Sequence, residues 1–387
     1  MTGDVVFILG YKYLCIKVYH HGTMDNNLNF RKILAWILFP LTIWYAAGVA
    51  FRNFLFSTGI LKERRHGITT ISVGNLCMGG AGKTPFVDYL LKMLQPYYRV
   101  ANLSRGYGRK TKGFLQADEN ATTSTIGDEP FMLHKRNPEA RIAVCENRNK
   151  GIEKLLSLPE PPQIVVLDDA YQHRYVKPTV NILLTEYGKP FFDDFVLPFG
   201  DLREPRNGYR RANIIVVTKT PEGINPIEKF AFNAKLNAKP HQQVFFTSIE
   251  YQKPVAFNDG LPDVELADLK DILLVTGIAN PQPLADKLSA TASVRHLPFA
   301  DHHVFSNHDF ELIASTFAQL PDEAKAIVTT EKDAVRIADN PNYQCIAHLP
   351  MYYLPIGVKF LDNDGHKFAD CLLKTVQENV FYLKRNS

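Results

Sequence analysis

Ser72-Val73-Gly74-Asn75-Leu76-Cys77-Met78-Gly79-Gly80-Ala81-Gly82-Lys83-Thr84-Pro85 reads as a strand running into a phosphate-binding loop. Thr69 to Val73 are β-branched or small and predict a buried strand, and a helix is expected from about Pro85. Between them Gly79, Gly80, Ala81 and Gly82 let the backbone turn its N–H groups inward. Loop amides, the helix N-terminus and Lys83 can then hold β- and γ-phosphates, while the Thr84 hydroxyl reaches Mg²⁺. Cys77 departs from the strict pattern, standing where its first Gly falls. Gly-Lys-Thr between a strand and a helix is more specific than a Gly-rich turn alone, so a nucleoside triphosphate is expected. Kinases, GTPases and transport ATPases all share such a loop, so the rest of the chain must choose among them.

Upstream, Ile33 to Phe51 run nineteen residues without a charge between Lys32 and Arg52. As a helix they span about 28 Å, close to the hydrocarbon thickness of a bilayer. Pro40 interrupts the run, both tryptophans (Trp36 and Trp44) lie in it with Tyr45, and Arg52, Lys62, Arg64 and Arg65 follow. Aromatics suit an interface and a basic flank suits anionic headgroups. The expectation is therefore a helix lying in or partly through a leaflet, ahead of a full span or a buried core helix. No small-residue cleavage site follows, which argues against a cleaved signal peptide. Met1 to Thr23 look unlike the rest, and Met24, leading through Asp25, Asn26 and Asn27 into the apolar run, reads as a plausible alternative start to Met1.

The chain has 387 residues and a net charge of +4, enough length for two domains and too weak a charge to argue for nucleic acid. Its five cysteines are scattered and form no CxxC pair, so neither a disulfide framework nor a zinc site is expected, and the catalytic part should face a reducing cytoplasm. Past the loop, apolar runs near Val100–Leu103, Ile142–Cys145, Ile164–Leu167, Ile182–Leu184 and Ile214–Val217 alternate with helical patterns, as a parallel sheet requires. A Pro-, Asn- and Gly-containing stretch follows, and a second alternating unit begins at Ile272 and continues through Ala326–Thr330. The organisation predicted is an N-terminal extension and membrane-associated helix (1–65), a P-loop α/β domain (66–235), a linker (236–270) and a smaller α/β domain (271–387).

Ile164-Val165-Val166-Leu167-Asp168-Asp169 is an apolar strand ending in two carboxylates, the form of an element that holds Mg²⁺ opposite the loop Thr. Gln172 and His173 follow, more polar functionality than a turn needs. Three further clusters ask for a role: Gly127-Asp128-Glu129-Pro130, Leu202-Arg203-Glu204-Pro205, and Asp301-His302-His303. Adjacent histidines on an extended chain point oppositely, so at most one of the last pair serves any one site.

Together with Leu103-Ser104-Arg105-Gly106-Tyr107-Gly108-Arg109 and Thr330-Glu331-Lys332-Asp333-Ala334-Val335-Arg336, these clusters, in this order, resemble the tetraacyldisaccharide 4′-kinase family of lipid A biosynthesis. The resemblance runs from the apolar segment to the end, with Ala170-Tyr171 replacing the family's usual Gly-Phe and Asp201 where a small residue or Pro is common. It implies transfer of the ATP γ-phosphate to the 4′-hydroxyl of an acylated glucosamine disaccharide 1-phosphate, giving lipid IVA, at the cytoplasmic face of the bacterial inner membrane. Lys83 and the loop would bind phosphates, and Thr84, one or both of Asp168 and Asp169, and Glu204 would organise Mg²⁺. By the same resemblance Asp128 accepts the hydroxyl proton with His302 set against it from the second domain, and Arg105, Tyr107 and Asn75 face the acceptor. Lys332, Asp333 and Arg336 read as a structural or nucleotide-side cluster.

Two rivals come from other classes. A P-loop GTPase or metallochaperone-like NTPase would share Gly82-Lys83-Thr84, and Val216-Val217-Thr218-Lys219 has the look of a guanine-reading strand end, but Pro221 stands where its Asp belongs. A membrane scaffold with a relic loop would not need Asp128, Glu204 and His302 beside a complete Mg²⁺ set.

Overall fold

The computed structural model describes residues 26–258, 260–301, 303–321 and 324–385, with the backbone alone for 26–38 and 384–385. The Met1-or-Met24 question and the side chain of Trp36 lie outside the described residues. Fourteen strands run β1 (Thr69–Asn75), β2 (Val100–Ser104), β3 (Leu115–Gln116), β4 (Arg141–Val144), β5 (Ile164–Asp168), β6 (Val180–Glu186), β7 (Ile214–Thr218), β8 (Gln243–Tyr251), β9 (Val255–Ala256), β10 (Asp271–Thr276), β11 (Ser293–Pro298), β12 (Lys325–Thr330), β13 (Met351–Leu354) and β14 (Ile356–Phe360) among these residues. The helices are α1 (Asn26–Ser57), α2 (Lys83–Leu94), α3 (Thr123–Ile126), α4 (Asp128–Arg136), α5 (Arg148–Leu156), α6 (Pro226–Leu236), α7 (Gln282–Ser289), α8 (Asn307–Ala318), α9 (Glu331–Ala338) and α10 (Gly365–Arg385).

The larger sheet has the order β14-β8-β7-β6-β1-β5-β2-β4-β3. Its seven central strands are parallel, and only the edge strands β3 and β14 run against them. Parallel strands need both faces covered, which is why β1, β2, β5 and β7 are buried at every position. Ile71 and Val73 of β1 pack with Phe86, Leu90 and Leu94 of α2 and with Phe368 and Leu372 of α10 on one face. On the other, Leu103 and Val165 meet Ile152 and Leu155 of α5, while Leu183 and Ile215 meet Phe232 of α6. β1 and β5 lie side by side in the middle, so the phosphate loop and Asp168 leave the same edge of the sheet.

A second sheet, β11-β10-β12-β13-β9, is parallel except for β9. The expected boundary between the units is corrected here. β8, inside the stretch read as a linker, pairs in parallel with β7, and β14 and α10, read as part of the smaller domain, return to the larger sheet. Gln243–Tyr251 lack the clean alternation of a half-buried strand, and only the long-range pairing with β7 and β14 decides their place. The second unit is therefore inserted between β8 and β14.

α1 is one continuous helix through Pro40. Among the described residues no helix is long and apolar enough to cross a membrane. Over its described side chains, from Phe39 on, α1 is not buried as a core helix would be: Thr42 and Phe56 are buried against the domain, while Trp44 is 78% exposed and Leu41, Ile43, Phe51 and Phe54 also face outward. It docks through Tyr45 Oη donating to the Arg203 carbonyl at 3.0 Å, Phe39 edge-on to Phe199, and Arg52 donating to the Gln172 carbonyl at 3.0 Å.

Candidate active site

β1 ends at Asn75, and the chain turns through Leu76–Gly82 into α2. The helix begins at Lys83, two residues earlier than Pro85 predicts; a proline in the first turn loses no hydrogen bond because N–H groups there have no intrahelical partner. Gly82, at φ 75°, is in the left-handed region that releases the loop into the helix. Thr218, at the end of β7, donates its hydroxyl to the Ala81 carbonyl at 3.0 Å and so pins the loop from the side. Cys77 stays in the loop as a backbone element, bridging to Leu202 and accepting from Asn75 Nδ2 at 2.7 Å. Burial, with Asp194 nearby, pushes its thiol up to about 12.

Lys83 is the hub. Its Nζ donates to Asn75 Oδ1 at 3.2 Å and lies 3.5 Å from Asp169 Oδ1. Asn75, expected against the acceptor, instead spends both ends of its amide within the loop, on Lys83 and on the Cys77 carbonyl. Asp169 adopts φ 45° and takes two hydrogen bonds from Arg203 Nη1, at 2.8 and 3.0 Å. Although burial opposes it, Lys83 and Arg203 hold the Asp169 carboxyl below the usual range.

Asp168 has a different environment. It is 2% exposed, and its Oδ1 is buried without a hydrogen-bond partner. Burial, then Glu129 and Asp169, push its carboxyl up to about 7 against the pull of Lys83 and Arg148. An unsatisfied buried carboxylate oxygen beside further acids, on the strand next to the one that leads into the loop, is what a divalent cation would satisfy, so the residues present fit Mg²⁺. Glu204 does not join them. It is fully buried, with Oε1 accepting from Arg211 at 2.8 Å and Gln172 at 3.1 Å and Oε2 accepting from Asn53 of α1 at 3.0 Å. The expectation that it ligates metal is corrected on that ground: Oε1 is taken by Arg211 and Gln172 of the domain, and Oε2 ties down Asn53 of α1. Among the described residues no three His, Cys, Asp or Glu side chains are grouped to hold a metal by themselves, so phosphate oxygens and water would have to complete the shell.

Asp128 opens α4, where the preceding Gly127 has φ 93° and a Cβ there would lie 2.7 Å from the Tyr107 carbonyl. That close approach holds the Arg105-Gly106-Tyr107 turn against the start of α4, with Arg105 and Tyr107 exposed at the rim. Across from it stands α9 of the second unit: Arg336 Nη2 lies 2.7 Å from Asp128 Oδ2, and Lys332 is 3.6 Å from Glu129. Arg336 is held in turn by Asp333 at 3.1 Å and the Gly277 carbonyl at 3.2 Å. The Lys332-Asp333-Arg336 cluster is thus the clamp between the units. His302 lies outside the described residues.

Sequence reasoning missed the grip of α1 on Glu204 through Asn53, because a single Asn on an amphipathic helix carries no signal of its partner. It also missed Arg148, buried behind β5 and donating to the Asp168 carbonyl at 3.0 Å, and the approach of Glu129 to Asp168. Arg203 was legible as part of a polar cluster, but not as the partner of Asp169.

The profile of the family described as tetraacyldisaccharide-1-P 4′-kinase, LpxK, matches residues 34–377. A tetraacyldisaccharide 4′-kinase from Bacteroides thetaiotaomicron is 44% identical over 92% of this chain and 96% of its own. One from Flavobacterium johnsoniae is 43% identical over 90% of this chain and 99% of its own. A crystal structure of LpxK from Aquifex aeolicus in complex with ATP superposes with a TM-score of 0.69 at 28% identity, covering 89% of this chain and 99% of that one. With its phosphate loop, its paired Asp168-Asp169 and both of its α/β units inside the matched span, the chain belongs to the tetraacyldisaccharide-1-P 4′-kinase family.

Proposed function

We propose that this protein transfers the γ-phosphate of ATP to the 4′-hydroxyl of a tetraacyldisaccharide 1-phosphate, forming lipid IVA in lipid A biosynthesis. The observation that carries the reading is Lys83, poised at the end of the phosphate loop between Asn75 and Asp169, beside the unsatisfied oxygen of Asp168. Lys83 and the loop N–H groups hold the β- and γ-phosphates and offset charge as the bond to the leaving ADP breaks. Asp128 takes the proton as the 4′-hydroxyl oxygen bonds to the γ-phosphorus, with His302 assigned to orient it by family resemblance. Arg336 orients the same carboxylate from the second unit. Arg105 and Tyr107, exposed beside α4, contact the sugar or its 1-phosphate. Mg²⁺, held by Thr84 and Asp168 with Asp169 beside them, would neutralise phosphate charge when bound. The outward Leu41, Ile43, Trp44, Phe51 and Phe54 of α1 support a helix lying in the interface at the cytoplasmic face of the inner membrane, where a lipid acceptor is met in two dimensions.

The test is transfer of label from γ-labelled ATP to a lipid A disaccharide precursor by the purified protein. Lys83→Ala should lose nucleotide binding and turnover together. Asp128→Asn should keep ATP affinity within about threefold and lose at least about 100-fold in kcat, the scale of a lost general base. No transfer by the wild type with ATP still bound, or equal loss of ATP affinity in both variants, overturns the assignment.

A further inference from the structure

Val216-Val217-Thr218-Lys219, the stretch with the look of a guanine-reading strand end, comes to lie beside the phosphate loop. Lys219 follows the end of β7 and holds φ 54°, a left-handed conformation that costs any residue with a side chain free energy and clusters at functional positions. Asp169, the partner of Lys83 at the end of β5, is held in the same region. The Lys219 side chain reaches back to the loop: its ammonium is 4.0 Å from where a Cβ on Gly80 would stand and 3.1 Å from Glu186 Oε2, at the end of β6. Both members of this pair are open to a ligand, because each side chain is 29% exposed and Gly79 and Gly80 beside them are exposed as well.

Strand order decides which half of a nucleotide this flank meets. The order β7-β6-β1-β5 puts Lys219 and Glu186 on one side of the loop and Asp168 and Asp169 on the other. Lys83 leans to the second side, 3.5 Å from Asp169, and α4, opened by Asp128, packs on β4 two strands beyond β5. A triphosphate whose γ end sits between Lys83 and Asp128 therefore runs back across the loop, and its nucleoside leaves over Gly79 and Gly80 toward β6 and β7. Charge agrees with that direction. The two lysines beside this flank are paired, Lys219 with Glu186 and Lys189 with Asp201, so neither is left over for a phosphate. What the flank does offer is a carboxylate, which accepts from hydroxyl groups, and a four-carbon stem, which covers the face of a ring.

We propose that Lys219 and Glu186 form the nucleoside side of the ATP site, the methylene stem of Lys219 lying against the base and Glu186 accepting from the ribose hydroxyls. The inference rests on ATP as the phosphate donor and is independent of the acceptor. Calorimetric titration of the full-length protein with Mg²⁺ present compares ATP with inorganic tripolyphosphate, which keeps the phosphates and lacks the nucleoside. Lys219→Ala is expected to weaken ATP binding at least about tenfold and tripolyphosphate binding less than about twofold. Lys219→Met, which keeps most of the stem without the charge, should recover at least about threefold of that loss. Glu186→Gln should weaken ATP binding about threefold or more, the scale of one hydrogen bond, whereas an ATP analogue lacking both ribose hydroxyls should bind wild type and variant alike. Retained tripolyphosphate binding shows in the same experiment that each variant is folded with its loop intact. Equal losses for ATP and tripolyphosphate, which would make Lys219 a support of the loop only, overturn the proposal, as does unchanged ATP affinity in Lys219→Ala. A Met no better than Ala overturns the stem contact. Because the readout is nucleotide binding, a failure of lipid transfer with ATP still bound counts against the proposed acceptor and not against this assignment.

Discussion

Replacing Arg336 with Gln should loosen the clamp between the two units. Arg336 Nη1 pairs with Asp333 at 3.1 Å, Nη2 with Asp128 at 2.7 Å, and Nη1 also donates to the Gly277 carbonyl at 3.2 Å. The Arg336 side chain is 9% exposed and that of Asp333 fully buried, so the substitution leaves a desolvated carboxylate short of its cation. Breaking a buried pair in this way costs about 3–5 kcal/mol. Asp333 keeps the Gly277 N–H at 2.9 Å and the Thr330 hydroxyl at 2.7 Å, which places the loss near the lower end. Asp128 is 25% exposed and can rehydrate, so its share is small, about 0–1 kcal/mol. The sum is a destabilisation of about 3 kcal/mol, measured by urea unfolding monitored in the second unit. ATP affinity should change little, because the loop contacts of Lys83 lie on the other unit. Adding Asp333→Asn removes the stranded charge and should restore more than half of the loss, a coupling that independent sites would not show. A cost below about 1 kcal/mol, or strict additivity of the two changes, would refute the clamp.

Two further outcomes follow from the geometry. Glu331 shares Arg136 (3.2 Å) with Asp88 (3.1 Å), and its Oε2 is buried without a partner. Burial, against the pull of Arg136, pushes its carboxyl from 4.5 up to about 7. A raised acid binds its proton more tightly in the folded state, so its contribution is present below about pH 4.5 and is lost as pH rises through about 7. Glu331→Gln should therefore gain stability relative to wild type between pH 5 and 8, by about 2–3 kcal/mol in denaturation midpoints at the two pH values; a difference independent of pH would contradict this. Thr218→Val keeps the shape but removes the donor to the Ala81 carbonyl. The KM for ATP should rise about three- to tenfold with kcat nearly unchanged, the scale of one buried hydrogen bond, and an unchanged KM would show that the loop needs no such pin.

The strand, loop and helix around Lys83 were legible in the sequence. Gly82-Lys83-Thr84 and Asp168-Asp169 carry their chemistry in local order, because a strand end, a tight turn and a helix start depend on neighbours in the chain. Apolar runs predicted the parallel strands for the same reason: burial on both faces demands continuous hydrophobic stretches. What local order could not supply were partners distant in sequence. Glu204 has the composition of a metal ligand, and only the approach of Asn53, 151 positions away, together with Arg211 and Gln172, makes it an anchor for α1. Asn75 was expected, by resemblance, to face the acceptor, and folding sets its amide against Lys83. The pairing of Arg336 with Asp128 spans 208 positions, and the return of β14 and α10 to the first sheet has no local signature. The sequence by itself pointed to a phosphate loop, since its glycines, Lys83 and Thr84 follow one another along the chain. The tertiary structure decided which carboxylates remain open to a cation, which are already paired and where the second unit is inserted, because burial and pairing belong to the packed whole.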